Sequence, residues 1–442
     1  MLARPETTFG KEINQQMLHE LSRNDTEQGC FTKGRMFVCA DRNVATQSQQ
    51  KKTKLKVEDS GERGMRQVIG VTFGRPLAYK TFSGYSRHLF LTMQELGALQ
   101  AVISTKQIRA RDFWDGCVNW APLRDLKRPK FNVHWLWNPL TIHRLSQRLQ
   151  RRLGRFDEAI PVLQVGTHAY ALNTSRKFYC VTDMTVKQAV DSGHFQMSQL
   201  RHDEACKAID AQKRMFDSCE KTFVLCQWTW ESVVNDYAQS PDKVVVVGAG
   251  ANMPELEPSE SKYSSHQILF VGYDWVRKGG PLLVDAFRLV RKQIPNATVN
   301  IVGSTPKIFE EGVKVIGSVN KATRSGRAKI ERLYQEANCF CILPDFDPFP
   351  NALIEAQATG TPVISLATGS RDEAVKDNVT GILVKKRDCR EVAAALLKIL
   401  SDPNRAHEMG LAGRKLVLHK FTWQNVVENI LSHIWGDGRG GT

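Results

Sequence analysis

The chain has 442 residues, 42% of them hydrophobic, which predicts two or three domains with packed cores and excludes a wholly disordered protein. Lys and Arg outnumber Asp and Glu by 61 to 46, a formal charge of +15 that suits an anionic partner: a phosphorylated ligand, a lipid headgroup surface or nucleic acid. No apolar run approaches the roughly 18 residues of a membrane span and the start does not resemble a signal peptide, so a soluble or peripheral cytoplasmic protein is expected.

Residues 1–65 read as a polar, mostly disordered tail, because "NVATQSQQKKTKLKVEDSGERG" has too little apolar surface to offset ordering entropy. A short helix or strand is expected near "RMFVCA", and a bland leader or an interaction arm are the two readings of the segment. From residue 66 the texture changes. "QVIGVTFG" is a strand ending at Gly74, and "SGYSRHLFLTMQELG" is a helix with Leu89, Met93 and Leu96 at helical spacing and Ser83 placed to cap it. Residues 140–156, "LTIHRLSQRLQRRLGRF", hold five arginines and no acid, with Leu145, Leu149 and Leu153 on one stripe. That pattern fits a covering helix with a solvated basic face, or a helix lying on an anionic membrane. The short apolar runs "PVLQVG", "KFYCV", "KTFVLC" and "KVVVVGAG" follow with helical stretches between several of them, so 66–252 predicts a parallel sheet covered on both faces.

Residues 253–265 are rich in Pro, Ser and Glu and read as a linker. The pattern then restarts over 266–420: "ILFVG", the helix "PLLVDAFRLVRKQI", "ATVNIVG", "VKVIGSV", the helix "RAKIERLYQEA", "CFCILP", the helix "NALIEAQATG", "TPVISLA", "NVTGILV" and the helix "REVAAALLKIL". A last amphipathic helix with Phe421, Val426, Ile430 and Ile434 near one face belongs to 421–442. The ten cysteines are scattered, several in apolar runs where a reduced thiol packs as a small hydrophobe, which points to a reducing compartment. Cys339 and Cys341 share a strand face, with no second ligand pair at zinc spacing.

The fold class that follows is α/β, with two facing Rossmann-like domains and a central interdomain cleft, where the C-terminal ends of parallel strands receive ligands. Glu355 lies in the apolar first half of a helix entering this region, and an ionised group buried there without a partner would cost several kcal/mol. The turn "DFDPFP" leads from strand to helix through Phe349, and the early amides near Asn351 and Ala352 point toward an anion in the cleft.

"DPFPNALIEAQATGTPVI", with "ILFVGYDWVRKGGPLLVDAFRLV" upstream, resembles the family-four retaining glycosyltransferases of GT-B fold. The likeness is strongest over 266–435 and continues more weakly to about residue 66. It implies a nucleotide-sugar donor, UDP- or GDP-linked, and a glycan or lipid-linked acceptor, with no cofactor. The family's Glu, seven residues, Glu pattern falls on Asp347 and Glu355, the first a departure to Asp that shortens the reach by one methylene. Under the resemblance Glu355 takes the ribose hydroxyls, Asp347 the donor sugar, and Lys278 the diphosphate. Arg277 is the nearest substitute for an Arg that many relatives carry where this chain has Tyr273, and Gly84 lies in the loop that approaches the diphosphate. Asp183, where relatives often have His, is a catalytic candidate, and His168 an acceptor-side one.

Other classes fit parts of the chain. Asp345-x-Asp347 has the spacing by which another glycosyltransferase fold binds Mn²⁺ or Mg²⁺, although a metal-free site is expected here, with Lys278 and the helix terminus in the ion's place. A sugar-nucleotide-binding protein without turnover would keep Lys278 and Glu355, and a UDP-sugar epimerase of the same fold would release no glycosylated product. Nucleic acid is not expected as a partner, since no RNA or DNA motif accompanies the charge.

Overall fold

The computed structural model describes residues 66–79, 81–105, 137, 139–172, 174–193 and 200–436. The readings made above for 1–65 lie outside these residues.

The first lobe begins with β1 (Val68–Thr72), whose five residues are all buried, as a strand covered on both faces requires. A 3₁₀ turn (Thr81–Gly84) leads into α1 (Tyr85–Glu95), followed by β2 (Leu99–Ser104), α2 (Pro139–Leu153), β3 (Val162–Val165) and β4 (Phe178–Thr182). The lobe continues through α3 (Val186–Asp191), α4 (His202–Asp217), β5 (Lys221–Val224), α5 (Gln227–Asn235) and β6 (Val244–Val246). All the pairings are parallel, in the order β2-β1-β3-β4-β5-β6. Strand β2 is not among the runs singled out in the sequence. Ser83 does not cap α1: it has φ 53°, Phe82 has φ 47°, and the N-cap position belongs to Gly84 at φ 88°, without a side-chain bond. Leu89 and Met93 are buried, but Leu96 is 45% exposed at the helix end. In α2 the stripe of Leu145, Leu149 and Leu153 is buried in the lobe's own core, as the covering-helix reading requires, so the arginine face is what the helix offers to solvent.

The stretch expected to be a linker is more than that. A 3₁₀ turn, Glu260–Ser264, buries Lys262 and Tyr263. The second lobe then runs β7 (Gln267–Val271), α6 (Gly280–Arg291), β8 (Thr298–Val302), β9 (Val313–Gly317), α7 (Arg324–Glu336) and β10 (Cys339–Cys341). It continues with α8 (Asn351–Ala358), β11 (Val363–Leu366), α9 (Arg371–Ala374), β12 (Gly381–Val384) and α10 (Cys389–Leu400). Its parallel strands lie in the order β12-β11-β10-β7-β8-β9, so the order reverses between β7 and β10, and an open α/β sheet binds ligands at that reversal. Cys339 and Cys341 are both fully buried in β10, where burial raises the thiol pKa values and keeps them inert.

Two helices close the chain. In α11 (Pro403–Lys420) the buried face is made of Ala406, Met409, Gly410, Gly413 and Val417. In α12 (Trp423–Trp435), capped by the Thr422 hydroxyl, Val426, Ile430 and Ile434 are buried together with the preceding Phe421. This last helix packs on the first lobe: the Trp423 ring meets Tyr85 edge-on at 4.8 Å and stacks on His88 at 5.6 Å, and the Tyr179 hydroxyl donates to the Ile434 carbonyl at 3.4 Å. The lobes also touch through α5. The Gln227 amide donates to Glu373 Oε1 at 2.8 Å, the Cys226 thiol to the Pro348 carbonyl at 3.4 Å, and the Trp228 ring lies edge-on to Phe346 at 5.4 Å.

Candidate active site

The loops leaving β7 and β10 are laced together at the strand-order reversal. The Leu343 amide donates to the Lys278 carbonyl at 3.1 Å and the Asp345 amide to the Arg277 carbonyl at 3.3 Å. Gly279 makes this approach possible: it has φ 76°, and a Cβ there would stand 2.2 Å from the Leu343 carbonyl oxygen. The consequence is that Lys278 and Asp347, on different loops, form an ion pair with Nζ 2.5 Å from Oδ2. Both side chains are largely buried, at 16% and 12% exposure. Burial lowers the Lys278 pKa and Asp347 opposes the change.

Arg277 is held in the same lacework. Its Nη1 donates to the Phe346 carbonyl at 2.8 Å and its Nε to Asp274 at 3.3 Å. Arg371, 2% exposed, donates to the carbonyls of Thr368 and Pro344, and its charge is felt by Lys278. Asp345 pairs with Arg387 and not with Asp347's partner. Tyr273, the departure noted above, is 71% exposed.

Helix α8 starts one residue after Pro350, which has no amide to leave unsatisfied. The Asn351 amide turns back to the Phe349 carbonyl at 3.0 Å, while the Ala352 amide has no protein acceptor among the described residues. One turn further in, Glu355 is 4% exposed but not unpartnered: the Tyr334 hydroxyl donates to its Oε2 at 3.1 Å, and Lys321 Nζ lies 3.6 Å from the same oxygen. Both oxygens are therefore not free, as the ribose reading has them; Oε1 alone accepts no hydrogen bond among the described residues. The far end of α8 is pinned by Lys262, whose buried ammonium donates to Thr359 O at 2.9 Å and Thr361 Oγ1 at 2.7 Å. Burial, with no carboxylate to oppose it, lowers the Lys262 pKa to about 7.

The first lobe supplies the opposite wall. Asp183 follows β4 and is only partly exposed; burial, and secondarily the charge of Asp347, raise its pKa to about 6, against hydrogen bonds from backbone amides. His168 follows β3. Its ring stacks on Phe73 at 4.9 Å, meets Phe82 at 6.0 Å and Trp137 at 5.7 Å, and burial lowers its pKa to about 4. The ring is thus a neutral group set among aromatic faces, with Nδ1 buried and unpartnered. Gly84 is buried below this wall, and its positive φ rather than lack of space is what calls for glycine: a Cβ there would make only ordinary contacts at 3.7 Å.

His88, in the second turn of the α1 sequence, joins the two walls. Burial lowers its pKa to about 4, Arg87 and Lys321 push the same way, and the nearby Glu355 opposes them. Sequence reading passed over His88, Lys321, Tyr334 and Arg371. His88 had one available signal, its place four residues after Gly84 at the head of a helix aimed from a strand end. Tyr334 had none, since it reads as one more core residue of α7.

Two parallel Rossmann-like lobes with ligand-binding edges turned toward each other and a returning C-terminal helix define the GT-B fold. A solved sucrose-phosphate synthase from Thermosynechococcus elongatus has that fold: it is 17% identical, the match covers 84% of this chain and all of that one, and the TM-score is 0.60. Residues 253–416, which span most of the second lobe, match the model of the family described as glycosyl transferases group 1. An MMP alpha-(1->4)-mannosyltransferase of Mycolicibacterium hassiacum is 26% identical over 49% of this chain and 54% of its own length. A GDP-mannose-dependent alpha-(1-6)-phosphatidylinositol monomannoside mannosyltransferase of Mycobacterium tuberculosis is 29% identical over 36% of this chain and 45% of its own. The chain thus spans about half the length of the curated relatives it matches.

Proposed function

We propose that the chain is a retaining, metal-independent glycosyltransferase that moves a sugar from a nucleoside diphosphate sugar, UDP- or GDP-linked, to a hydroxyl of a glycan or lipid-linked acceptor. The observation that carries this reading is the placement of the Lys278–Asp347 pair at the strand-order reversal, with Glu355 on the helix that follows and Asp183 and His88 opposite. The GDP-mannose in the name of the M. tuberculosis relative supports a nucleotide-sugar donor, with GDP as one base to test.

In this reading Glu355 Oε1 accepts from the ribose hydroxyls while Tyr334 and Lys321 hold Oε2. Lys278 and the Ala352 amide meet the diphosphate. One ammonium about 4 Å from a phosphate charge contributes roughly 4 kcal/mol at an effective dielectric near 20, most of it useful as the leaving group gains charge. Asp347 faces the donor sugar and favours positive charge at the anomeric carbon. The bond from that carbon to the phosphate oxygen breaks, the bond to the acceptor oxygen forms on the same face, and the acceptor's proton passes to the departing phosphate. Asp183 and the neutral His168 position the acceptor hydroxyl.

The test is calorimetric titration of UDP and GDP, and of their glucose and mannose conjugates, into the full chain and into Lys278→Ala and Glu355→Gln. Binding of one nucleotide that weakens in both variants supports the reading, and equal binding in wild type and variants overturns it. Donor turnover in the presence of candidate acceptors then separates a transferase from a protein that only holds the nucleotide.

A further inference from the structure

Two helix ends meet on one ammonium behind the candidate site. Tyr334 stands in the last turn of α7, where carbonyls have no partner within the helix, and Thr359 follows the last residue of α8. Lys262 Nζ donates to both carbonyls, at 3.3 Å to Tyr334 and 2.9 Å to Thr359, and to Thr361 Oγ1 at 2.7 Å. The Thr361 hydroxyl in turn donates to the Tyr334 carbonyl at 2.9 Å, and the Thr359 hydroxyl to the Ala356 carbonyl at 2.8 Å. Lys262, Tyr334, Thr359 and Thr361 are all buried. No carboxylate among the described residues answers the ammonium; these oxygens and the negative ends of two helix dipoles do.

A buried cation without a counter-charge is costly, and a methionine would fill the same space without that cost. Stability alone therefore gives no reason for Lys262. What an ammonium supplies and a thioether does not is three directed hydrogen bonds. Those bonds fix the carbonyl of the residue whose hydroxyl, at the far end of its side chain, holds Glu355 Oε2 at 3.1 Å. The Tyr334 ring between them is buried and stacked on Phe340 at 5.8 Å, which leaves little freedom between its backbone and its hydroxyl. Helix α8 has only eight residues, and Glu355 stands about one turn before Thr359, so a shift of either helix end moves the carboxylate against its hydroxyl partner. Lys262 comes from neither helix. It belongs to Glu260–Ser264, in the chain that passes from β6 of the first lobe to β7 of the second.

We propose that Lys262 is a positioning residue for the nucleotide: through Tyr334 and the end of α8 it sets the orientation in which Glu355 receives the ribose hydroxyls. The inference rests on the nucleotide reading of Glu355, and adds to it that the segment crossing between the lobes carries part of the donor affinity without touching the donor.

The experiment is calorimetric titration of UDP and GDP into the full chain, well below the unfolding midpoint of each variant. The variants are Lys262→Met, Thr361→Val, Tyr334→Phe, the double variant Lys262→Met/Tyr334→Phe and Glu355→Gln. The control is Tyr263→Phe, which removes only the bond from the same segment to the Gly360 carbonyl at 2.9 Å. Nucleotide binding about fivefold weaker in Lys262→Met and in Thr361→Val is expected, with Tyr263→Phe like wild type. If Lys262 acts through Tyr334, the double variant stays near fivefold; independent action would make it about twenty-fivefold weaker, which overturns the inference. Lys262→Met that binds like wild type while Glu355→Gln binds weakly overturns it too, as does a Tyr263→Phe variant as weak as Lys262→Met. Should Lys262→Met not fold, Thr361→Val, alone and combined with Tyr334→Phe, decides the same question. No binding of either nucleotide, or Glu355→Gln like wild type, removes the nucleotide reading itself and this inference with it, so the two failures are told apart.

Discussion

The Tyr334 hydroxyl donates to Glu355 Oε2 at 3.1 Å, on the oxygen that also faces Lys321, so the buried carboxylate keeps its other oxygen without a hydrogen bond among the described residues. A hydrogen bond to a charged group contributes about 1.5–3 kcal/mol. Glu355→Gln is therefore expected to weaken nucleotide binding by about ten- to a hundredfold. Tyr334→Phe keeps the charge and loses only the orientation, so a change of about fivefold is expected. Calorimetric dissociation constants for the nucleotide check both, and an order reversed between the two variants would place Glu355 away from the ligand.

Asp183 titrates near 6 because burial and the Asp347 charge disfavour its ionised form. Its folded pKa lies above the unfolded value, so the native state holds the extra proton between about pH 4 and 6 and loses relative stability as pH rises through that window. Asp183→Asn is expected to stabilise the fold at pH 7.5 by about 1–3 kcal/mol and to have no such slope. If the carboxylate positions the acceptor, wild-type kcat/KM for acceptor rises through pH 6 and the variant loses that limb. Urea midpoints and pH–rate profiles measure the two effects separately.

The element order was readable because both lobes repeat β-branched runs separated by helical periods, and each run did become a strand, buried along its whole length in β1, β3 and β4 and half-buried in the edge strands β6 and β9. Glu355 stood out in the sequence as a charge in the apolar half of a helix, and Lys278 through the family resemblance; the structure buries the first and largely buries the second. What was not readable depends on distant packing. Helix α11 buries Ala406, Gly410 and Gly413, small residues that carry little hydrophobic signal. The Tyr334–Glu355 bond joins α7 to α8, and nothing near either residue in the chain announces it. Ser83 looked like a helix cap and is instead part of a left-handed turn, and the N-cap position falls to Gly84.

Lys262 ties the end of α8 to α7 with a buried ammonium whose pKa burial lowers to about 7. Its unfolded value, 10.5, is higher, so the unfolded chain binds the extra proton between about pH 7 and 10.5 and native stability rises with pH across that range. The penalty is present in full below pH 7, with an upper bound of about 5 kcal/mol. Lys262→Met is expected to flatten the slope between pH 7 and 9.5 in denaturant titrations, whatever its effect on stability at one pH.

Gly279→Ala places a methyl group 2.2 Å from the Leu343 carbonyl in a backbone that already has φ 76°. The loops carrying Lys278 and Asp347 must then part. A loss of about 1–3 kcal/mol in stability is expected from the strained conformation. Nucleotide binding should fall with it even in the fraction that stays folded, as Lys278 leaves its partner. Thermal unfolding and nucleotide titration at a temperature well below the transition distinguish the two losses.

The Asp345-x-Asp347 spacing invites a divalent metal, yet each carboxylate has its own cation: Asp345 pairs with Arg387, Asp347 with Lys278 at 2.5 Å. A metal held by both would have to displace two ion pairs, one of them largely buried, and the removal of a partner from such a pair is costly. Transfer activity is therefore expected to survive excess EDTA and to gain nothing from added Mn²⁺ or Mg²⁺. Arg387→Ala, which frees Asp345, is the sharper probe: it should leave activity without metal intact while allowing weak Mn²⁺ binding measurable by calorimetry. Wild-type activity that vanishes in EDTA and returns with Mn²⁺ would show that the two aspartates act on an ion together, and that Lys278 does not take the ion's place at the diphosphate.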